Sequence, residues 1–327
     1  EMVMIDIEDQ TFTDGKVGLM VYKGKAYFSD LSIKGAPPLV LKNNEMEVLL
    51  DGKSGNIKSL LGFLNDDGVQ FCDSTIIDKD NPWWWGTVLL DYGKGLISSN
   101  NMKSVTTTKD SSIVTRYGDE SIELVVERDL RDKFLEETYT LSSRNDLTVN
   151  TLGVVFRPTI TMHVGEHLSY FFVENTPTTY HWFTGKDLAY LLITHNNGRA
   201  PHLAIVLTKG EINGYTPLYN LGVRHNPLSS SPVLFVTGYG IDNRNHEYKQ
   251  SQIHLDPDKP LSFTLRYFLF EDQEDLEKKL IEICKQPVFH YPRYIPAGKK
   301  LSIEVRLPQG LEINNVNFKG TILPFVK

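Results

Sequence analysis

All four tryptophans of the chain fall in two short stretches, Asn81-Pro82-Trp83-Trp84-Trp85-Gly86 and Tyr180-His181-Trp182-Phe183. An exposed aromatic ring stacks on the C–H face of a sugar, and adjacent polar groups catch its hydroxyls. Trp83, Trp85, Trp182 and Tyr180 are therefore candidate saccharide contacts. Core packing competes with this reading. Consecutive side chains of a strand point to opposite faces, so Trp84 faces away from Trp83 and Trp85, and one side of the triplet is expected to be buried.

A second polar concentration comprises Arg199, His202, Tyr215, Arg224, His225 and Asn226. Guanidinium groups clamp uronate or sulfate bidentately, so Arg199, Arg224 and His225 are candidate contacts for an acidic polysaccharide; surface salt bridges are the alternative. His163-Val164-Gly165-Glu166-His167 matches the H-x-x-E-H string of a zinc-protease class. That chemistry needs both histidines on one helical face. The flanking Thr159–Met162 and Leu168–Phe172 read as strands, where positions i and i+4 lie roughly 13 Å apart, too far for one zinc. No metal site is assigned. The sequence also lacks a dinucleotide fingerprint, a phosphate loop, an EF-hand and a G-x-S-x-G elbow, so no cofactor is expected.

The elements that must position these residues are strands. Ile122, Leu124 and Val126 alternate with polar neighbours, as do Phe263, Leu265, Tyr267 and Leu269, and Leu301, Ile303, Val305 and Leu307. Leu147, Val149 and Thr151 continue the pattern. Turn clusters such as Asp51–Gly55, Asn196-Asn197-Gly198 and Asp256-Pro257-Asp258 separate the runs. Many antiparallel strands at short spacing imply a sandwich or barrel. One helix is predicted over 271–285, with acids in its first turn and an apolar stripe of Leu276, Leu280, Ile283 and Cys284.

With 327 residues, 40% of them hydrophobic, the chain can bury a substantial core without staples, and its 23% charged residues are ordinary for a globular protein. The net charge of −7 and the lack of a basic run give nucleic-acid binding no electrostatic source, so no nucleic-acid partner is expected. No apolar stretch approaches the ~20 residues that span a bilayer, and Glu1-Met2-Val3-Met4 has no basic start, so neither a membrane partner nor an export signal is read. Cys72 and Cys284 form no disulfide framework and are read as unpaired.

Phe12-x-x-Gly15-x-Val17-Gly18-Leu19, followed by Ala26-x-Phe28-x-Asp30-Leu31-x-Ile33, resembles the closing strands of concanavalin/laminin-G-like sandwiches. Met46–Leu60 is similar to the first hairpin of the galactose-mutarotase-like supersandwich, and Glu136–Leu141 with Asp146–Asn150 to a central one. That supersandwich accompanies the catalytic domains of many glycoside hydrolases and polysaccharide lyases. Ala297–Val305 reads like the start of an immunoglobulin-like module. The expected fold is thus all-β: a large antiparallel supersandwich with one linker helix near the C-terminus and partial flanking β-domains. Residues 1–38 are assigned to terminal strands plus linker, 39–270 to the supersandwich, 271–286 to the linker helix and 287–327 to the module start.

The resemblance implies a section of a larger polysaccharide-processing protein that binds or positions a polysaccharide or oligosaccharide for a glycoside hydrolase or lyase. Neighbouring domains of the same polypeptide are then partners, catalysis can reside in one of them, and the location is extracellular or at the cell envelope. In free aldose epimerases of this fold a histidine and a glutamate act as acid and base, which makes His181, His167 and Glu174 the candidate catalytic residues of an epimerase alternative. The family's epimerase histidine motif is not recognisable here. A structural spacer without ligand is the third reading.

Overall fold

The computed structural model describes residues 39–52, 54–64, 67–73, 84–109, 112–158, 177–183, 185–186, 188–195, 197–217, 232–239, 251–292, 294, 296, 298–318 and 321–323. The expected laminin-G-like tail and the His163–His167 string lie outside them.

The predicted alternation is realised most fully in a sheet of eight antiparallel strands. Its spatial order is Pro177–Phe183, Tyr190–His195, His202–Lys209, Leu261–Phe270, Leu135–Ser143, Ile122–Leu130, Ser112–Gly118 and Lys103–Lys109. Along Leu135–Ser143 every second residue is buried, which gives the strand one dry and one partly wet face. A five-stranded sheet contains Gly214–Pro217, Pro232–Gly238, Thr151–Val155, Val88–Asp91 and Ile97–Ser98, and a four-stranded sheet is built from Leu39–Lys42, Met46–Leu50, Ile57–Leu64 and Asp67–Asp73. One apolar cluster takes Val48, Leu60 and Phe71 from the four-stranded sheet, Leu152, Val154 and Leu234 from the five-stranded sheet, and Leu124, Tyr139, Ile205 and Leu265 from the eight-stranded sheet. The three sheets thus share one core, the arrangement of a sandwich.

Close contact with neighbouring strands fixes particular glycines. At Gly153 of Thr151–Val155 an added Cβ would lie 2.5 Å from Cδ1 of Phe235, so only glycine lets that ring cross the strand. Gly55, at φ +67°, closes the predicted Asp51–Gly55 turn, and a Cβ there would meet Thr115 Oγ1 at 2.3 Å. Asp51 Oδ2 completes the turn by accepting from Ser54 N at 2.6 Å and from Ser54 Oγ at 2.7 Å.

The helix spans Gln273–Glu282, shorter at both ends than the predicted 271–285. Asp272 caps it by accepting from Asp275 N at 2.9 Å, and Glu274 and Asp275 suit the positive end of the helix dipole. Beyond it Lys285 adopts φ 57°, and the Gln286 N–H reaches back to Leu280 O at 3.1 Å, ending the helical run. Leu276, Ile283 and Cys284 pack on Ala204, Val206, Phe268 and Phe270, with Leu280 alongside, as the predicted stripe requires. For this reason His202–Lys209 and Leu261–Phe270 are buried on both faces.

Two departures are local. The run predicted over 301–307 is a strand only at Glu304–Arg306, paired with Val288–His290, and Leu301 and Ile303 remain exposed. The Leu147–Thr151 alternation is divided between Leu147–Val149, which pairs with Ile253–Leu255, and Thr151–Val155, which pairs with Val88–Asp91 and Pro232–Gly238. Cys72 and Cys284 form no disulfide and are buried in separate clusters. Among the described residues no helix is long and apolar enough to cross a membrane.

Candidate functional site

Trp85 is a correction to the aromatic-platform expectation. Its side chain is fully buried, edge-on to Phe156 at 5.7 Å between centroids and tilted against Tyr267 at 6.4 Å. Its carbonyl accepts from Ile57 N at 3.1 Å, tying the segment to the neighbouring sheet. A side chain so enclosed is core, and it has no face open to a sugar. Trp84 is only partly buried, in keeping with the alternation expected of the triplet. Trp83, His167, Glu174, Arg224 and His225 lie outside the described residues, as do the side chains of Tyr180, His181 and Trp182. The backbone of the last three belongs to Pro177–Phe183, at one end of the eight-stranded sheet, where the register shifts between Thr179 and His181. A bulge of this kind at a sheet end changes the local strand direction.

Beside Trp85 lies a sealed polar cluster. Arg128 and Glu137 are Cα partners on adjacent strands, both side chains are 0% exposed, and Arg128 Nε donates to Glu137 Oε1 at 2.6 Å. Glu137 Oε2 accepts from the Tyr139 hydroxyl at 2.8 Å and from that of Tyr267. Burial, reinforced by the adjacent carboxylate, pushes both phenols well above their ordinary range and keeps them neutral donors. For Arg128, burial works against the charge, but Glu137 with Tyr117 and Tyr139 outweighs it and the guanidinium is held more firmly protonated. All four side chains are buried, and the cluster ties together three neighbouring strands of the eight-stranded sheet. No motif marks the pairing of Arg128 with Glu137, because an Arg and a Glu on two strands carry no sequence signature until the register is known.

The accessible polar site is the turn joining Tyr190–His195 to His202–Lys209. Gly198 N donates to His195 O at 3.0 Å and Arg199 N to Asn197 Oδ1 at 2.8 Å, so the turn at Asn197-Gly198 brings Arg199 back to His195. His195 Nδ1 lies 3.1 Å from Arg199 O. A carbonyl only accepts, so Nδ1 carries the proton and Nε2 holds the lone pair. The His195 N–H in turn reaches His202 Nδ1 at 3.3 Å, which makes that ring nitrogen an acceptor. His195 stacks on Phe71, and His202, only 7% exposed, lies against Phe270. Burial lowers the pKa of both histidines from the ordinary 6.5; the Arg199 carbonyl partly offsets this at His195, and His195 adds to it at His202. Both imidazoles are neutral at pH 7. Arg199 is exposed. The structure thus brings together Arg199 and His202 of the predicted polar concentration and adds His195, whose place four residues before Arg199 across an Asn-Gly turn was the available signal.

No protein-family model matches the chain, and no curated protein sequence matches it. Solved structures do. A polysaccharide lyase superposes with a TM-score of 0.61 at 17% identity, over 88% of this chain and 41% of the lyase. The chain thus has the fold of the matched part of that lyase. A galactose mutarotase related enzyme from Lactobacillus acidophilus follows at a TM-score of 0.42 and 13% identity, over 73% of this chain and 99% of that one. A heparinase III matches at 0.41 and 9%, over 80% of this chain and 38% of that one. The lyase match is a likeness of fold, and the chain spans about two fifths of the length of that lyase.

Proposed function

We propose that this chain is a carbohydrate-active section that binds or positions a polysaccharide for a glycoside hydrolase or lyase, with catalysis in neighbouring domains of a larger polypeptide. The observation that carries the reading is the superposition on a polysaccharide lyase across 88% of the chain. A fold hosts many roles, so the ligand must be sought at the site itself. Arg199 is the described member of the predicted contacts that is open to solvent, and Tyr180, Trp182, Trp83, Arg224 and His225 complete the set proposed from sequence. An extracellular or cell-envelope location accords with a polymeric substrate. A ligand-free spacer is the second reading, favoured by the burial of Trp85.

Isothermal titration with a panel of neutral and acidic hexasaccharides distinguishes the two. Saturable binding of at least one glycan is expected; absence of heat with every member, on protein shown to be folded, favours the spacer.

A further inference from the structure

We infer that the outward side of the ribbon formed by Val288–His290 and Glu304–Arg306 is a contact between two copies of this chain. The inference is independent of the glycan reading above. It begins with the way the ribbon is mounted. The strands pair Val288 with Arg306, Phe289 with Val305 and His290 with Glu304. Cross-strand partners share a side of a ribbon and successive residues alternate between its sides, so Val288, His290, Glu304 and Arg306 lie on one side and Phe289 and Val305 on the other. The first side meets the helix. Glu277, only 7% exposed on Gln273–Glu282, has its Oε2 2.9 Å from His290 Nε2 and 3.5 Å from Arg306 Nη1, and its Oε1 accepts from Gln273 Nε2 at 2.9 Å. The ribbon is thus fastened to the helix by its polar side, which leaves its apolar side facing outward.

That apolar side is open. Phe289 is 56% exposed, and Tyr291, Leu301 and Ile303, which continue the alternation of the two strands, are 64%, 48% and 50% exposed. Leu301, Ile303, Val305 and Leu307 alternate with polar residues as a half-buried strand does, yet the first two stand in solvent. A two-stranded ribbon with neither outer edge paired among the described residues is marginal alone and gains from being covered. A second copy fits this face. Phe289, Tyr291, Leu301 and Ile303 carry no charge, so the face meets its own image without like-charge repulsion, and a two-fold contact sets it on itself. Their exposed apolar surface is about 400 Å² per copy, and at the ~60% apolar share of an interface this corresponds to roughly 1,300 Å² buried in total, enough for a specific dimer.

Sedimentation velocity over a micromolar concentration series tests the contact on wild type, Phe289→Glu, Ile303→Glu and Phe289→Leu. Wild type is expected to pass from monomer to dimer as concentration rises. Each glutamate places an unpaired charge inside the contact and should weaken the dimer at least about tenfold, whereas Phe289→Leu keeps an apolar side chain and should dimerise within a few-fold of wild type. Because these positions are exposed, all variants should keep the wild-type circular dichroism. A second measurement needs no variant: hydrogen exchange of the amides in Val288–His290 and Glu304–Arg306 should slow in wild type as the dimer forms. Wild type that stays monomeric throughout the series overturns the inference and leaves the face to another occupant, such as a neighbouring domain. A dimer that both glutamates leave intact, or one that gives this ribbon no protection, overturns it by placing the contact elsewhere.

Discussion

Arg128 and Glu137 face each other across two adjacent strands with Nε and Oε1 2.6 Å apart and neither side chain open to solvent. A charge placed there is tolerated only with its partner, since desolvation of a lone buried ion is expensive. Arg128→Met or Glu137→Gln is expected to cost about 3–5 kcal/mol in urea unfolding, and the double change Arg128→Met with Glu137→Leu less than the sum of the singles. Additive losses would show that the two side chains act independently.

Trp85 fills the space between Phe156 and Tyr267, so Trp85→Ala should cost about 3–5 kcal/mol, as other large-to-small core changes do. Trp85→Phe should cost less, because it leaves a smaller void and removes an indole N–H that has no hydrogen-bond partner. Equal losses for the two variants would argue against the packed position.

The neutral histidines make stability sensitive to acid. Both folded pKa values lie below the unfolded value of 6.5, so as pH falls past about 6.5 the unfolded chain takes up protons first. Their contribution is complete above that pH and is lost as pH falls through the folded values. The melting temperature should decline between pH 7 and 5, with a shallower decline in His202→Gln. A slope unchanged by that substitution would remove His202 from the effect.

Cys284 has its thiol pushed up to about 12, chiefly by burial, and Cys72 is buried and outside any disulfide. Ellman's reagent should therefore react slowly with folded protein and release two equivalents on denaturation. Rapid reaction in the folded state, or no release after unfolding, would contradict two enclosed thiols outside any disulfide.

Much of this fold was legible because strand alternation reports directly on burial. Ile122 and Leu124, or Leu265 and Tyr267, mark the core face by their spacing alone, and the first-turn acids with the Leu276–Cys284 stripe mark the helix. Trp85 was less legible, since three adjacent aromatics declare that some are buried without saying which. The Arg128–Glu137 pair depends on register between strands, which a linear pattern does not contain. His195 gains meaning only when the Asn-Gly turn folds Arg199 O back to its ring, and at that point the sequence-level clue at 196–198 becomes chemistry.

Hydrogen exchange on the whole chain, with and without a saturating hexasaccharide, tests the central claim most directly. The account predicts slower exchange of the backbone amides around Arg199, with the amides of Arg128 and Glu137 unchanged. Binding that leaves the amides around Arg199 unprotected, or no protection anywhere with any glycan, would contradict it.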